Sequence, residues 1–552
     1  VISKSSLGRR VMIGAVGVAA TGLVLSGCAS TSSTTTSSLD GLIVGTSDVI
    51  VSLDPAGSYD NGSFAVMNQV YPFLLNTPYG SPDVKPDIAT SAEFTSPTEY
   101  TVKLKSGLKF ANGDALTSSD VKFTFQRLLT INDPQGPTSL ISNMKSVADP
   151  DPETVVFTLK TPNDQTWPQV LSSPAGPIVD EQVFSATKVT SDADIVKGKA
   201  FAGQYEITQY KPKELIEYKS FDGYKGLLGG AKTKSITAQY FTSETDLKLA
   251  VQKGDVDVAF RSLSPTDLAS LKKDSKLTVH DGPGGEIRYV VFNFDTMPFG
   301  AKTPEADAAK SLAVRQAVAD SVDREAISSG VYKGSYTPLY SYVPDGLTGA
   351  ITPFKDLYGD GNGGPDVSKA KSTLQSAGVT TPVTLNLQYT PDHYGASSDD
   401  EYAALKTQLE KTGLFTVNLQ STLYDTYSEQ RTKDAYPEYQ LGWFPDYSDA
   451  DNYLTPFFLP SAGADGKEVP GGFLLNHYEN KQVDALIEKQ RSETDQSART
   501  KDIQEIQTLV AKDISTLPLL QGNQVAVSAK DVQGVDKTLD ASFKFRYAAL
   551  SR

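Results

Sequence analysis

The chain is poor in the residues that most soluble catalysts rely on. A single cysteine, Cys28, in 552 residues rules out an internal disulfide and a thiolate metal cluster. Its three histidines, His280, His393 and His477, lie far apart, and no pair has the spacing of metal ligands on one element. A His-Glu-x-x-His helix, a Gly-x-Ser-x-Gly elbow and a phosphate-binding Walker loop are all missing. Ser-x-x-Lys occurs twice, at Ser119–Lys122 and Ser368–Lys371, without the companion motifs that would make it catalytic. The expectation is therefore a protein that binds rather than an enzyme, with no cofactor and no metal.

Positive charge is also in short supply. Lys and Arg number 51 against 66 Asp and Glu, a formal net charge of −15. Nucleic acid is excluded as a partner, because phosphate binding needs clustered cations. After residue 25 there is no further long apolar run, and 39% hydrophobic residues suit a globular body.

The N-terminus does hold an apolar run, Val11–Leu25, behind Lys4, Arg9 and Arg10. It is shorter than the roughly 20 residues that span a bilayer, so it reads as an export signal. The twin-arginine route is open to Arg9–Arg10, but paired basic residues also suit the ordinary secretory route, which is favoured. Leu25, Ser26, Gly27 and Cys28 resemble the lipobox of bacterial lipoproteins. That resemblance implies a signal peptide at 1–27, cleavage before Cys28 and acylation of its thiol. Cleavage would remove three positive charges and no negative ones, taking −15 to −18. Nine Ser and Thr residues, Ser30–Ser38, have nothing to bury, and 28–40 reads as a solvated tether.

The body alternates helix and strand. Leu42–Val51 and Tyr100–Lys105 read as strands. Thr117 and Asp120 form a capping box for a helix whose Val121, Phe125 and Leu128 share one face. Later come a helix at Asp366–Ala377 stopped by Gly378, a strand at Val383–Tyr389, a helix at Asp399–Thr412 stopped by Gly413, and a strand at Phe415–Leu423. Helices near Val483–Arg491 and Ala498–Lys512 precede a strand-rich tail. Such alternation argues for α/β architecture.

Three segments carry a family resemblance. They are Tyr100–Leu129, with its strand, Lys-Phe-x-x-Gly turn and capped helix; "VVFNFDTMPFG" with the following "LAVRQAVADSVDREAI"; and Leu441–Phe458, "LGWFPDYSDADNYLTPFF". Together with "FAGQY" (201–205) and "GDVDVAF" (254–260), they are similar in kind and order to the peptide/nickel class of bacterial ABC-transporter solute-binding proteins, family 5.

The resemblance implies a two-lobed α/β periplasmic-binding-protein fold, type II and cluster C-like, with an extra domain on the first lobe. Lobe I would comprise 41–72, 200–287 and 523–552, the extra domain 73–199, and lobe II 288–522. The function implied is that of an extracytoplasmic, lipid-anchored monomer that closes on a short peptide and delivers it to a membrane permease. An oligosaccharide or metal-chelate receptor on the same fold remains an alternative, and a tethered hydrolase or adhesin is one from another class.

Candidate ligand residues follow from the Gly-Trp-x-x-Asp segment. In peptide-binding members its aspartate pairs with the ligand's ammonium group, which points to Asp446; Gly442, Trp443 and Tyr447 flank it. Asp449 and Asp451 read as turn and capping groups. A ligand carboxylate calls for an arginine fork, and Arg431 matches an Arg of oligopeptide-binding relatives. Gln440 stands where such relatives can carry another Arg, which leaves peptide length and ligand class open. Asn293, central in its strand, is a candidate for bonding ligand backbone, alongside a structural role.

Overall fold

In the segment Val383–Tyr389, Val383, Leu385 and Leu387 are buried while Thr384 and Asn386 are exposed, the period-two pattern of a strand with one wet face. This strand belongs to a mixed sheet of eleven. The computed structural model describes residues 41–552 except 262, 396, 463–467 and 543. The expected signal peptide, tether and Cys28 lie outside the described residues.

In chain order the strands are β1 (Gly41–Thr46), β2 (Tyr205–Lys211), β3 (Leu215–Ser220), β4 (Ser235–Tyr240), β5 (Val258–Phe260), β6 (Leu277–Phe292), β7 (Tyr336–Pro338), β8 (Val383–Tyr389), β9 (Phe415–Ser421), β10 (Glu438–Trp443) and β11 (Thr516–Ala529). Across the sheet they run β9-β8-β10-β6-β11-β5-β1-β4-β3-β2, with β7 also on β11.

Only β6 and β11 pass through both parts of this sheet. Leu277–Gly282 pair with Gln524–Ala529 beside β5, and Glu286–Val291 pair with Thr516–Gly522 beside β10. The register shifts in between, at 283–285. Gly284 permits the crossing, because a Cβ there would stand 1.9 Å from the Gly522 carbonyl oxygen.

Separate apolar clusters sit on the two parts. One gathers Val291, Val314, Val318, Leu385, Leu387 and Leu405 around β8–β10. Another packs Leu42, Val44, Val66, Ile207, Ile216 and Ile236 around β1–β4. A third belongs to a four-stranded antiparallel sheet formed by Ala89–Ser96, Glu99–Leu104, Thr154–Leu159 and Met144–Asp151. It is covered by the helix Ser118–Ile131, which starts at the capping box of Thr117 and Asp120 and buries Val121, Phe125 and Leu128. The fully buried pair Arg127–Asp54, with two 2.8 Å bonds, ties this helix to the segment after β1.

Local expectations hold with small shifts. Asp366 and Asp323 cap their helices, and Gly378 and Gly413 take the left-handed conformation after theirs. The strand expected at Leu42–Val51 ends at Thr46, where its partner β4 ends at Tyr240. Past that point the chain has no strand to pair with, and Val49 and Val51 are exposed. The expected strand-rich tail is a single strand, β11, followed by short 3-10 turns. No helix among the described residues is long and apolar enough to cross a membrane.

One buried acid makes stability depend on pH. Glu438 starts β10 among Leu385, Leu387 and Leu405. Burial pushes it up to about 8, against the opposing pull of the Asn386 N–H that it accepts at 2.9 Å. The folded protein thus holds a proton that the unfolded chain releases near 4.5. This contribution is fully present below about pH 4.5 and fades as pH rises through 8. Glu438→Gln keeps an acceptor for Asn386 and removes the titration. In thermal melts at pH 5 and pH 8, the variant should lose less stability than the parent on going to pH 8.

Candidate ligand-binding cleft

Where the two parts of the sheet meet along β6 and β11 there is a cavity of about 340 Å³, at the lower end of the size that takes small-molecule ligands. Arg261, Leu263 and Leu268 line it from the β5 side, and Tyr336, His393, Tyr394 and Phe444 from the other. Glu286 and Arg288 reach it from β6, on one face of the strand because they are two residues apart.

Arg288 is 3% exposed. Its Nη2 is ion-paired with Glu286 and donates to the Tyr394 carbonyl oxygen at 2.8 Å and the Tyr336 hydroxyl at 3.3 Å. The Tyr336 O–H in turn donates to Glu286 Oε1 at 2.7 Å. The guanidinium carbon stands 4.8 Å from the Tyr394 ring centre, 5.7 Å from that of Tyr336 and 5.8 Å from that of Phe444. This is a cation held by rings and one carboxylate.

The loop 390–398 brings His393 and Tyr394 to the cavity, and Gln440 holds that loop in place. Gln440 Oε1 accepts from the Thr390 N–H at 3.0 Å and its Nε2 donates to Ser398 Oγ at 3.1 Å. His393 stacks on Tyr424 with ring centres 3.5 Å apart. Desolvation, then the positive charge of Arg288, push its imidazole down to about 4, so it is neutral at neutral pH. Gly442 lets Arg288 and Tyr394 close on β10: a Cβ there would lie 2.7 Å from Arg288 Nη1 and 2.9 Å from the Tyr394 ring.

Asp446 follows two residues after Phe444. One carboxylate oxygen accepts from the Tyr59 hydroxyl, and the other from Asn452 Nδ2 at 2.9 Å. Tyr59 precedes the helix Asn61–Val70, which packs on the β1–β4 side, so this bond joins the two parts across 387 residues of sequence. Burial lifts the Asp446 carboxyl above its ordinary value, and the bonds from Asn452 and Tyr59 oppose the shift. Among the described residues no Lys, Arg or His pairs with it.

Trp443 points to the opposite face from Gly442 and meets Phe457 and Phe473 edge-on, at 5.3 and 5.0 Å between ring centres. Asn452 connects it to Asp446, since its Oδ1 accepts from the Trp443 Nε1–H at 3.0 Å and from the Asp446 N–H at 2.9 Å. Tyr447 packs against the core of the four-stranded sheet and donates to Asp451 at 3.3 Å. Asp449 caps a short turn and binds Arg499 with two bonds of 2.7 and 2.9 Å.

None of the residues singled out from sequence is among those that line the cavity, and Arg431 and Asn293 are bound to other parts of the chain. Arg431 lies 5.0 Å from the Phe473 ring centre and donates to the Phe473 carbonyl oxygen at 3.0 Å. Asn293 caps a turn by accepting from the Asp295 and Thr296 N–H groups, and donates to Asp434 at 3.0 Å. Asp434, Asp295 and His477 form the one metal-like cluster found among the described residues, with ligand atoms within 4.8 Å. Lys302 already stands 2.7 Å from Asp295, and His477 2.6 Å from Asp434, so the carboxylates have cationic and hydrogen-bonding partners from the chain itself.

Sequence reasoning missed Arg288, Glu286, Tyr336, His393, Tyr394, Tyr59 and Asn452. Glu286 and Arg288 carried a signal, as charged residues on the face of β6 shared with the buried Val290.

The sequence matches the profile of the bacterial extracellular solute-binding proteins, family 5 (middle), over residues 83–465, more than half of the chain. It is 26% identical over 504 residues to the "Probable D,D-dipeptide-binding periplasmic protein DdpA" of Escherichia coli K12, covering 90% of this chain and 91% of that one. Among solved structures it resembles the ABC transporter substrate-binding protein CtaP of Listeria monocytogenes (TM-score 0.75, 23% identity, 92% and 98% covered). It also resembles the periplasmic binding protein DppA of Helicobacter pylori in complex with the peptide STSA (TM-score 0.70, 18% identity, 93% and 98% covered). The sheet that divides at β6 and β11 around a cavity is the two-lobed α/β fold of these relatives, and the chain belongs to the bacterial extracellular solute-binding proteins, family 5.

Proposed function

We propose that this protein captures a short peptide between its two lobes and hands it to the permease of an ABC importer. The observation that carries the reading is Asp446: a half-buried carboxylate at the junction of the two parts, whose partners among the described residues are the neutral Tyr59 and Asn452. A ligand ammonium supplies a cation, and a charge-assisted hydrogen bond in such a place is about twice as strong as a neutral one. In the described state the Tyr59 hydroxyl occupies one of the positions that an ammonium proton takes.

The edge of β10 beyond β8 is covered by side chains rather than by a strand. β8 pairs with it only at Glu438 and Tyr439, so Gln440–Trp443 have no strand on that side. The Tyr427 hydroxyl donates to the Gln440 carbonyl oxygen at 2.5 Å, where a neighbouring strand would otherwise bond. The names of DdpA and of the peptide-bound Helicobacter protein are in keeping with a peptide ligand.

In this reading lobe I is 41–72, 200–287 and 523–552, its extra domain 73–199, and lobe II 288–522. The hinge lies at 283–285 of β6 and the facing Gly522 of β11. Closure about such a hinge is the usual response of two-lobed receptors to their ligands. Cys28, lipid-modified after cleavage of 1–27, anchors the protein on the extracytoplasmic face of the cell membrane through the tether 28–40. The protein acts as a monomer and does not turn its ligand over.

Native mass spectrometry with a mixed pool of di- to pentapeptides should show retained peptide, recovered intact; retention of none rejects the reading. Asp446→Asn should weaken binding by roughly 10- to 100-fold, the worth of one hydrogen bond to a charged group. Because burial raises the Asp446 pKa, and binding an ammonium requires the ionised form, affinity should increase with pH until Asp446 is ionised. The Asn variant should lose that slope in titration calorimetry. Gly442→Ala drives a methyl group into Arg288 and Tyr394. It should lower stability by about 1–3 kcal/mol and reduce peptide affinity, as chemical denaturation and titration of the same sample would show.

A further inference from the structure

We propose that the extra domain (73–199) takes part in ligand binding, with Arg491 as the positioning residue that clasps it to the loop bearing Asp446. The inference rests on the two-lobe reading above and adds a second contact between the moving parts, away from the hinge at 283–285.

The extra domain is fixed to lobe I by the doubly bonded pair Arg127–Asp54, so it moves with that lobe. Its loop 163–166 nevertheless touches lobe II. The Gln165 N–H donates to the Arg491 carbonyl oxygen at 2.8 Å, and Gln496 Nε2 donates to Gln165 Oε1 at 3.3 Å. Arg491 stands in the last turn of the helix Lys481–Ser492, where a backbone carbonyl has no partner within the helix and can accept from another segment.

The Arg491 side chain lies between two buried carboxylates. Its Nη2 is 3.8 Å from Asp164 Oδ2 in the extra domain, and its Nε is 4.0 Å from Asp451 Oδ1 in lobe II. Asp164 is 3% exposed and Asp451 1%. Charge-assisted hydrogen bonds run at about 2.7–2.9 Å, so both pairs fall about 1 Å short, and Nε is buried without an acceptor among the described residues. The clasp is engaged by charge and by one main-chain bond, with room to tighten as the lobes close.

Asp451 connects the clasp to the ligand aspartate. It accepts from Thr455, Gln490 and Tyr447, and its N–H donates to Asp449, which holds Arg499. Tyr447, next to Asp446, packs against the core of the extra domain. Asn452, next to Asp451, donates to Asp446 at 2.9 Å. A shift of Asp451 therefore reaches Asp446 through Tyr447 on one side and Asn452 on the other.

Hydrogen–deuterium exchange of the intact protein tests the clasp, without ligand and with the mixed pool of di- to pentapeptides. In the wild type, exchange in 161–167 and 487–496 should slow together when the pool is added. Arg491→Gln should speed exchange in 161–167 of the ligand-free protein by at least about threefold, leave the helix Ser118–Ile131 unchanged, and weaken peptide affinity roughly 3- to 10-fold. Arg491→Lys, which keeps the charge, should restore part of both. Exchange in 161–167 that is alike in wild type and Arg491→Gln overturns the proposal. Faster exchange that spreads to Ser118–Ile131 also overturns it, because it marks a domain destabilised as a whole. Retained peptide without slower exchange in 161–167 of the wild type overturns it as well, a result that needs no variant to fold. Retention of no peptide rejects the peptide reading, and the ligand-free comparison of Arg491→Gln with the wild type then decides the clasp by itself.

Discussion

The pairing of β6 with β11 is the constraint on which the rest of the molecule depends. β11 gives Leu517, Leu519 and Leu520 to one core and Ala526 to another, and β6 gives Ile287 and Val291 to the first and Leu277 to a smaller cluster, so both strands keep main-chain bonding through the place where these cores end. They do so by losing register over three residues, Pro283, Gly284 and Gly285, and by leaving out a side chain where Gly284 touches Gly522. The cavity exists because these cores stop short of this interruption. Its walls are the ends of elements anchored elsewhere: the segment after β5, the loop after β8 and the end of β10.

Charges in this region are handled by partial satisfaction. Among the described residues Asp446 has neutral partners, and Arg288 has a carboxylate but two sealed donors without an acceptor. Among the buried charges of the scaffold, Arg127 with Asp54 and Arg499 with Asp449 are each joined through two short bonds, whereas Arg546 and Arg324 keep buried donors without a partner among the described residues. Incomplete pairing of buried groups costs stability, and it occurs in the scaffold as well as beside the cavity.

Much of the scaffold was legible in the sequence, because its signals are local. The alternation at Val383–Tyr389, the capping box at Thr117 and Asp120, and the glycines after two helices each act within a few residues, and the structure places elements there with ends shifted by a residue or two. The strand expected to reach Val51 illustrates the limit. Its residues alternate well enough, but a strand also needs a neighbour, and β4 ends opposite Thr46. The cavity lining was less legible for a related reason. The Gly-Trp-x-x-Asp motif and the family match at Arg431 are visible in the sequence, but neither says which face of an element meets the cavity, and neither Arg431 nor Asn293 lines it.

What the sequence by itself determined is the alternation of elements, their caps and stops, and the family. Only the tertiary structure decided that Tyr59 meets Asp446 from 387 residues away, that Arg288 rather than Arg431 reaches the cavity, and that Gln440 steadies the loop bearing His393 and Tyr394. Periodicity and capping depend on neighbours along the chain, so a sequence displays them directly. The partners of a buried charge depend on which distant segments pack together, and no local pattern of residues encodes that.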